Sequence, residues 1–469
     1  MSIFQRVIAF YRDPEYFRNI RRIGFPIAVQ QLMFAGLNLV GVVLVSQKGD
    51  ASVAAVGLAG QIAFLLNLVH FGIISGAAMF TAQFWGKQDI PNLRRVLGLC
   101  LMLAISASLI FFALAQLVPS QILSIYSKDA QVIALGSAYI RTFSWTFPLF
   151  AVTFSYALVM RSTGNVITPT LVSVIALLIS TFLSYSLIFG RFGFPELGIQ
   201  GAAVAAVIAR FIECVTLLTV TYITKSPVAA SLRELTSFNR VFVGRVIKPM
   251  LPVILNELFW SMGITTYNII YGRLGTPSYT AMNIVGTIEQ VAFVVFIGIS
   301  NATSVMVGNN IGAGKEEEAY RHAGRSLGLG IVGGLFLGVV LQLVKGPVLS
   351  LFNVSPEAIQ NASHILTVVS FFLWIRVNNM TTVVGILRAG GDTRFSLFLD
   401  GIIIWIVGVP MAYLAAFVLD LPVYLVYLFA MSEEATKWFL GIRRYFSRKW
   451  INNLTVHMEG MQTETTSAD

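Results

Sequence analysis

The chain has 469 residues, of which 56% are hydrophobic and 12% charged, about half the charged share of an average soluble domain. Two cysteines and 15 prolines against 35 phenylalanines exclude a disulfide-rich, collagen-like or disordered chain, which leaves a polytopic membrane protein. The net charge of +10 does not call for nucleic acid, because membrane proteins gather Lys and Arg in their cytoplasmic loops.

The first segment, Met1 to Arg22, is amphipathic and Arg-rich without a small-residue cleavage site, so it predicts a retained N-terminus and no signal peptide. Apolar runs then predict twelve transmembrane helices near 24–46, 52–84, 97–118, 132–160, 168–190, 198–223, 249–272, 278–308, 325–344, 359–387, 395–418 and 421–441. The runs 52–84, 132–160 and 278–308 exceed a straight span and predict tilted or projecting helices. Cys100 and Cys214 lie inside apolar runs and read as small core residues. Residues 451–469 read as a polar, disordered tail. Of the 32 Lys and Arg, 23 fall on the side of the termini and five on the other, which predicts both termini in the cytoplasm.

An internal repeat divides the chain. At a shift of 226, Pro26 meets Pro252, Gly49 meets Gly275, Gly60 meets Gly286, Gly72 meets Gly298 and Gly86 meets Gly312. At 227, Met160–Asn165 meets Leu387–Asp392, and Arg210 meets Lys437. Six spans per half starting on the same side make the repeats parallel, and two such bundles enclose a cleft suited to alternating access. The expected layout is an all-α integral membrane fold with an N-terminal six-helix lobe (1–223), a cytoplasmic linker (224–248), a C-terminal lobe (249–445) and a cytoplasmic tail (446–469).

The prolines opening each half, Gln83-Phe84-Trp85-Gly86-Lys87-Gln88-Asp89 after the second run, Gly308-Asn309-Asn310-Ile311-Gly312-Ala313-Gly314 after the eighth and Leu387-Arg388-Ala389-Gly390-Gly391-Asp392-Thr393 after the tenth resemble the multidrug and toxic compound extrusion (MATE) family. The resemblance covers about residues 15 to 445. It implies a twelve-helix, two-lobe antiporter of the plasma membrane that exports small organic, often cationic, compounds in exchange for H⁺ or Na⁺. A lipid-linked oligosaccharide flippase of the same superfamily is the alternative, and would want a basic cavity for its pyrophosphate.

Ionisable groups inside spans are expensive and mark function by default. Glu213 is the one acid within a span of the first half, whereas the second carries Glu257, Glu289, Asp400, Glu433 and Glu434. Glu257 shares a helical face with Trp260, Ser261, Ile264, Asn268 and Tyr271, a carboxylate among aromatic and polar groups that suits an organic cation. The alternative is a permanent ion pair with Arg376 that only fixes packing. The resemblance supports a seventh-helix glutamate, although one branch of the family places it about a turn further on, near Trp260. Asp392 matches the acid of the family's span-ten motif, and Na⁺ at Glu257 or Asp392 is one coupling option; the other reading makes Asp392 a helix cap partnered by Arg388 and Arg394. Glu289 faces a cleft only if its helix is oriented as the family's is. Asp400 is expected to snorkel or bind backbone, and Glu433 and Glu434 to form a packing cluster with Lys437. The family's first-helix aspartate is missing from Asn38–Leu44, which favours coupling in the C-terminal lobe.

The remaining patterns carry no chemistry. Gly328-Leu329-Gly330-Ile331-Val332-Gly333 lies in an apolar run rather than after a strand, and Gly312–Lys315 lacks Walker spacing, so neither binds a nucleotide. Ser326, Gly330, Gly334 and Gly338 instead form a small-residue stripe, with Gly328 on another face. His70, His322, His364 and His457 are scattered, without metal-ligand spacing. The expected partners are small molecules and the bilayer, with no nucleic acid, no cofactor, no catalytic activity and a monomeric state.

Overall fold

The computed structural model describes residues 11–456, and among them every regular element is helical. Helices cover all the expected runs, the last of them, 421–441, as two helices, Val423–Ala430 and Ser432–Phe446, and boundaries are set by local chemistry. Asp89 and Ser355 cap their helices through Asn92 N–H and Ala358 N–H, each followed by a proline in the first turn where its missing donor costs nothing. Nine helices are long and apolar enough to cross a membrane, and ten if Ala130–Phe143 and Thr146–Ser162 count as one, among the described residues.

Four expectations need correction. The first helix starts at Pro14, not near 24, so the Arg-rich segment continues into the span, and Met1–Phe10 lies outside the described residues. The run 132–160 is two helices bent by 46°. Pro148 supplies the reason, since it has no N–H for the carbonyl of Ser144, where the first helix ends. The seventh helix starts at Arg240, inside the stretch read as linker, and the rest of that stretch holds a short helix, Leu232–Thr236, closed by a Ser231–Glu234 capping box. The beginning of the tail is packed: Trp450 is fully buried, Asn452 N–H bonds to the Gly390 carbonyl at 2.8 Å, and Asn453 reaches the Ile311 carbonyl. Residues 457–469, with His457, lie outside the described residues.

Two compact units form. The first comprises the described chain through Ala28, Gly86–Gln88 and the described residues from Ile247 onward; the second comprises Val29–Trp85 and Asp89–Val246. One core of the first unit gathers Ile270, Tyr271, Ile284, Ile365, Leu366, Val369, Ala412 and Val426, and another packs Val307, Ile311, Ala323, Ile386, Leu387 and Leu399 around Trp450. The second unit closes over Ala55, Ala59, Leu66, Leu123, Ile140 and Ala203.

The small-residue stripe of Glu316–Leu349 is a helix seam. A Cβ at Gly334 would overlap the Trp374 backbone, one at Gly338 would overlap the Ser370 carbonyl, and one at Gly330 would press on Val377 and Asn378. The partners step by four along Pro356–Met380, as two crossing helices require. Gly328 departs from the expected contrast, because a Cβ there would meet the Tyr11 hydroxyl, the movable end of a side chain. Past Met380 the helix widens into a π-helical turn, Thr381–Arg388, and Thr393–Val418 alternates α and π turns. Such turns re-aim the side chains they carry, and they are frequent at functional sites.

Candidate functional site

Several charged residues of the first unit's helices meet in one polar region. Glu257 comes from the helix Arg240–Arg273, kept intact past Pro249 and Pro252, and its carboxylate lies 2.7 Å from Arg388 Nη1 at the end of the π turn. Both side chains are withdrawn from solvent, at 10% and 4% exposure. One residue earlier, Asn256 Nδ2 donates to Asp400 at 3.0 Å. Asp400 also accepts from Lys437 Nζ at 2.8 Å, and Lys437 reaches Glu433 at 2.5 Å on the next turn of its own helix. Tyr267 closes this chain by donating its hydroxyl to Glu433 at 2.5 Å. The approach depends on Gly408, where any Cβ would strike both the Tyr267 hydroxyl and the Glu433 carboxylate.

A second group lies beside it. Arg376 pairs with Glu289, Tyr427 donates to the same carboxylate at 2.9 Å, and the guanidinium sits 5.0 Å from the Phe293 ring centroid. Asn379 Nδ2 donates to Glu434 at 2.7 Å. Across both groups five carboxylates, Glu257, Glu289, Asp400, Glu433 and Glu434, face three bases, Arg376, Arg388 and Lys437. Full ionisation leaves two uncompensated negative charges in a region where low dielectric makes that costly, so the cluster can accept protons or cations to restore neutrality.

This arrangement revises the roles read from sequence. Glu257 pairs with Arg388 and not with Arg376, whose partner is Glu289. Asp392 occupies the cap position of Thr393–Ser396 but makes no side-chain cap; Arg444 Nε holds it at 2.6 Å, in place of Arg388 or Arg394. Asp400 neither snorkels nor binds backbone, because the fully enclosed Lys437 ammonium captures it. The face expected to join Glu257 with its aromatic neighbours divides: Trp260, Ile264 and Asn268 are exposed, whereas Tyr271 is buried between Tyr267 and Tyr427 with ring centroids 6.2 and 6.4 Å away. The buried face rotates along this helix as it turns from the charged cluster toward the hydrophobic core. Among the described residues no three of His, Cys, Asp and Glu gather in a way that could hold a metal ion.

Arg388, Asn256, Tyr267 and Tyr427 were missed as site residues. For Arg388 the repeat offers a partial parallel: in the second unit Arg161, which meets Arg388 at a shift of 227, donates from Nη2 to Gln30 Oε1 at 2.6 Å, and at the 226 shift of the first span Gln30 meets Asn256, the residue before Glu257. Each arginine thus reaches the opening helix of its own half, Arg161 at a neutral amide and Arg388 at a carboxylate one residue further along in the aligned register.

The MatE family model matches residues 26–186 and again 252–414, one match in each half. The chain belongs to the MatE family. Among MatE relatives it resembles an uncharacterized transporter, YisQ of Bacillus subtilis, 25% identical over 92% of this chain and 94% of that protein. A probable multidrug resistance protein NorM of Thermotoga maritima is 22% identical over 96% of each chain. The fold is that of the Vibrio cholerae MATE transporter VcmN, solved as a point mutant, with a TM-score of 0.85, 17% identity and coverage of 94% of this chain and 98% of that one. Membership makes the protein a multi-pass membrane transporter of a multidrug efflux family, as its leading motifs implied.

Proposed function

We infer that this MatE chain is a secondary antiporter, built as twelve spans in two six-helix lobes with both termini in the cytoplasm. It exports small amphipathic, cationic organic compounds across the plasma membrane in exchange for H⁺ or Na⁺. The observation that carries the reading is the surplus of acid in the polar region of the first unit, five carboxylates for three bases. A region with that imbalance binds either the coupling cation or a cationic substrate, and competition between them is the chemistry of exchange. A flippase carrying an anionic pyrophosphate would want the opposite imbalance. Glu257 is the exchanging carboxylate in this reading: it is buried and meets one base, Arg388, whose Nε and Nη1 make no hydrogen bond of good geometry.

Transport of a fluorescent organic cation into inverted vesicles, driven by a proton gradient and separately by a sodium gradient, tests the function and names the ion. Glu257→Gln is expected to abolish gradient-driven uptake. Because that change strands Arg388, the double variant Glu257→Gln/Arg388→Gln is the decisive one: it removes both charges and is expected to fold yet remain inactive. Recovery of uptake in the double variant would assign the pair to packing alone.

A further inference from the structure

The second unit holds a cavity of about 130 Å³ whose walls include Phe34, Phe143, Phe147 and Phe150, with Ser173 and the Arg210–Glu213 pair at its polar end. Its volume is close to that of the roughly 150 Å³ engineered cavity that accepts a benzene ring. Glu213, 7% exposed, accepts hydrogen bonds from Ser173 Oγ at 2.6 Å and Arg210 Nη1 at 2.5 Å. The same guanidinium lies 4.9 Å from the Phe150 ring centroid. A carboxylate and an aromatic face are the two elements of a receptor for an organic cation, and here the protein's own arginine occupies both.

We propose that Arg210 is a built-in counter-ion that closes this cavity to organic cations and reserves it for an uncharged aromatic ring of a ligand. With Glu213 neutralised, a second cation entering the cavity meets like charge at Arg210 and finds no free carboxylate. An uncharged ring meets four phenylalanine side chains and a site that needs no counter-charge. The repeat supplies an independent observation: Arg210 superposes on Lys437, which neutralises Asp400 and Glu433 in the first unit, so both halves place a cation at the same position against buried acid. The inference concerns direct binding in one unit and does not depend on the coupling ion or on gradient-driven transport.

Three ring probes of one size, benzyl alcohol, benzylammonium and benzoate, separate the possibilities when binding to the purified full chain in nanodiscs is followed by saturation-transfer NMR. Specific binding is the part removed by Ala206→Phe, which fills the cavity. The wild type is expected to take benzyl alcohol and to exclude both ions. Arg210→Met frees Glu213 and Phe150, and is expected to raise benzylammonium affinity about tenfold or more and to let that probe raise the unfolding temperature. Glu213→Gln leaves the arginine alone and is expected to give benzoate the corresponding gain, so the idea stays testable even if Arg210→Met folds poorly. Wild-type protein that binds benzylammonium as tightly as benzyl alcohol would overturn the proposal. So would folded Arg210→Met and Glu213→Gln variants with the ion preferences of the wild type.

Discussion

Lys437 shows how strongly a single side chain can be committed. It is 2% exposed, and its ammonium is shared by Asp400 at 2.8 Å and Glu433 at 2.5 Å. Replacing it by Met removes the positive charge that touches those two carboxylates and leaves both to be neutralised by protons. Lys437→Met is therefore expected to destabilise the protein by about 3–5 kcal/mol, the usual cost of breaking a buried ion pair from one side. Thermal unfolding in nanodiscs checks it, and lowering the pH, which protonates the two acids, is expected to narrow the gap to wild type. A gap independent of pH would mean that the lost packing of the lysine stem dominates. The residue chemistry here was legible in sequence as a list of costly intraspan charges. Their pairing was not, since an ion pair between positions 257 and 388 depends on how two helices rotate against each other, and the nearer guess of Arg376 met Glu289 instead.

Helices in this protein are specified by where a side chain is missing as much as by where one is present. Gly334 and Gly338 face the backbone of Pro356–Met380, whereas Gly346, further along the same helix, faces open space. Ala at 334 or 338 is expected to cost about 1–3 kcal/mol through forced separation of the helices, and Ala at 346 to be neutral or stabilising by up to about 1 kcal/mol. Folded yield and thermal unfolding of the three variants distinguish these outcomes, and equal effects would remove the seam. The short helix Leu232–Thr236 carries a pH dependence of its own. The Ser231 N–H, at 2.7 Å, holds the Glu234 carboxyl below the ordinary glutamate range; burial opposes this, and Arg94 at 2.5 Å assists. A depressed value in the folded state means that the stabilisation is present at neutral pH and disappears as pH falls below the ordinary carboxylate range of about 4.3. Hydrogen exchange of this turn is therefore expected to lose protection on acidification in the wild type, whereas in Glu234→Gln, which keeps an amide acceptor without the charge, protection is expected to be weaker at neutral pH and to change little on acidification.

At the scale of the molecule, the orientation expected from the bias of basic residues can be tested from outside. Cysteines placed at Asp50, Ser127 and Ser355 are expected to react with an impermeant thiol reagent on intact cells, and one at Glu317 only after permeabilisation. The native Cys100 and Cys214 are buried and add little background. Labelling at 317 in intact cells would reverse the topology.

Apolar runs determined by themselves that the chain is a helical membrane protein, because hydrophobic length acts locally along the chain, while the glycine- and proline-bearing motifs carried a resemblance that the MatE family match bears out. Several helix ends also followed from such signals, but the starts at Pro14 and Arg240 and the bend before Pro148 did not. The tertiary structure decided which acid meets which base, that Tyr271 turns into the core while Trp260 stays exposed, and that Trp450 anchors the chain beyond the last helix. Those outcomes depend on helix rotation and on π turns that shift a side chain around the axis, and neither leaves a period in the sequence that distinguishes one partner from another.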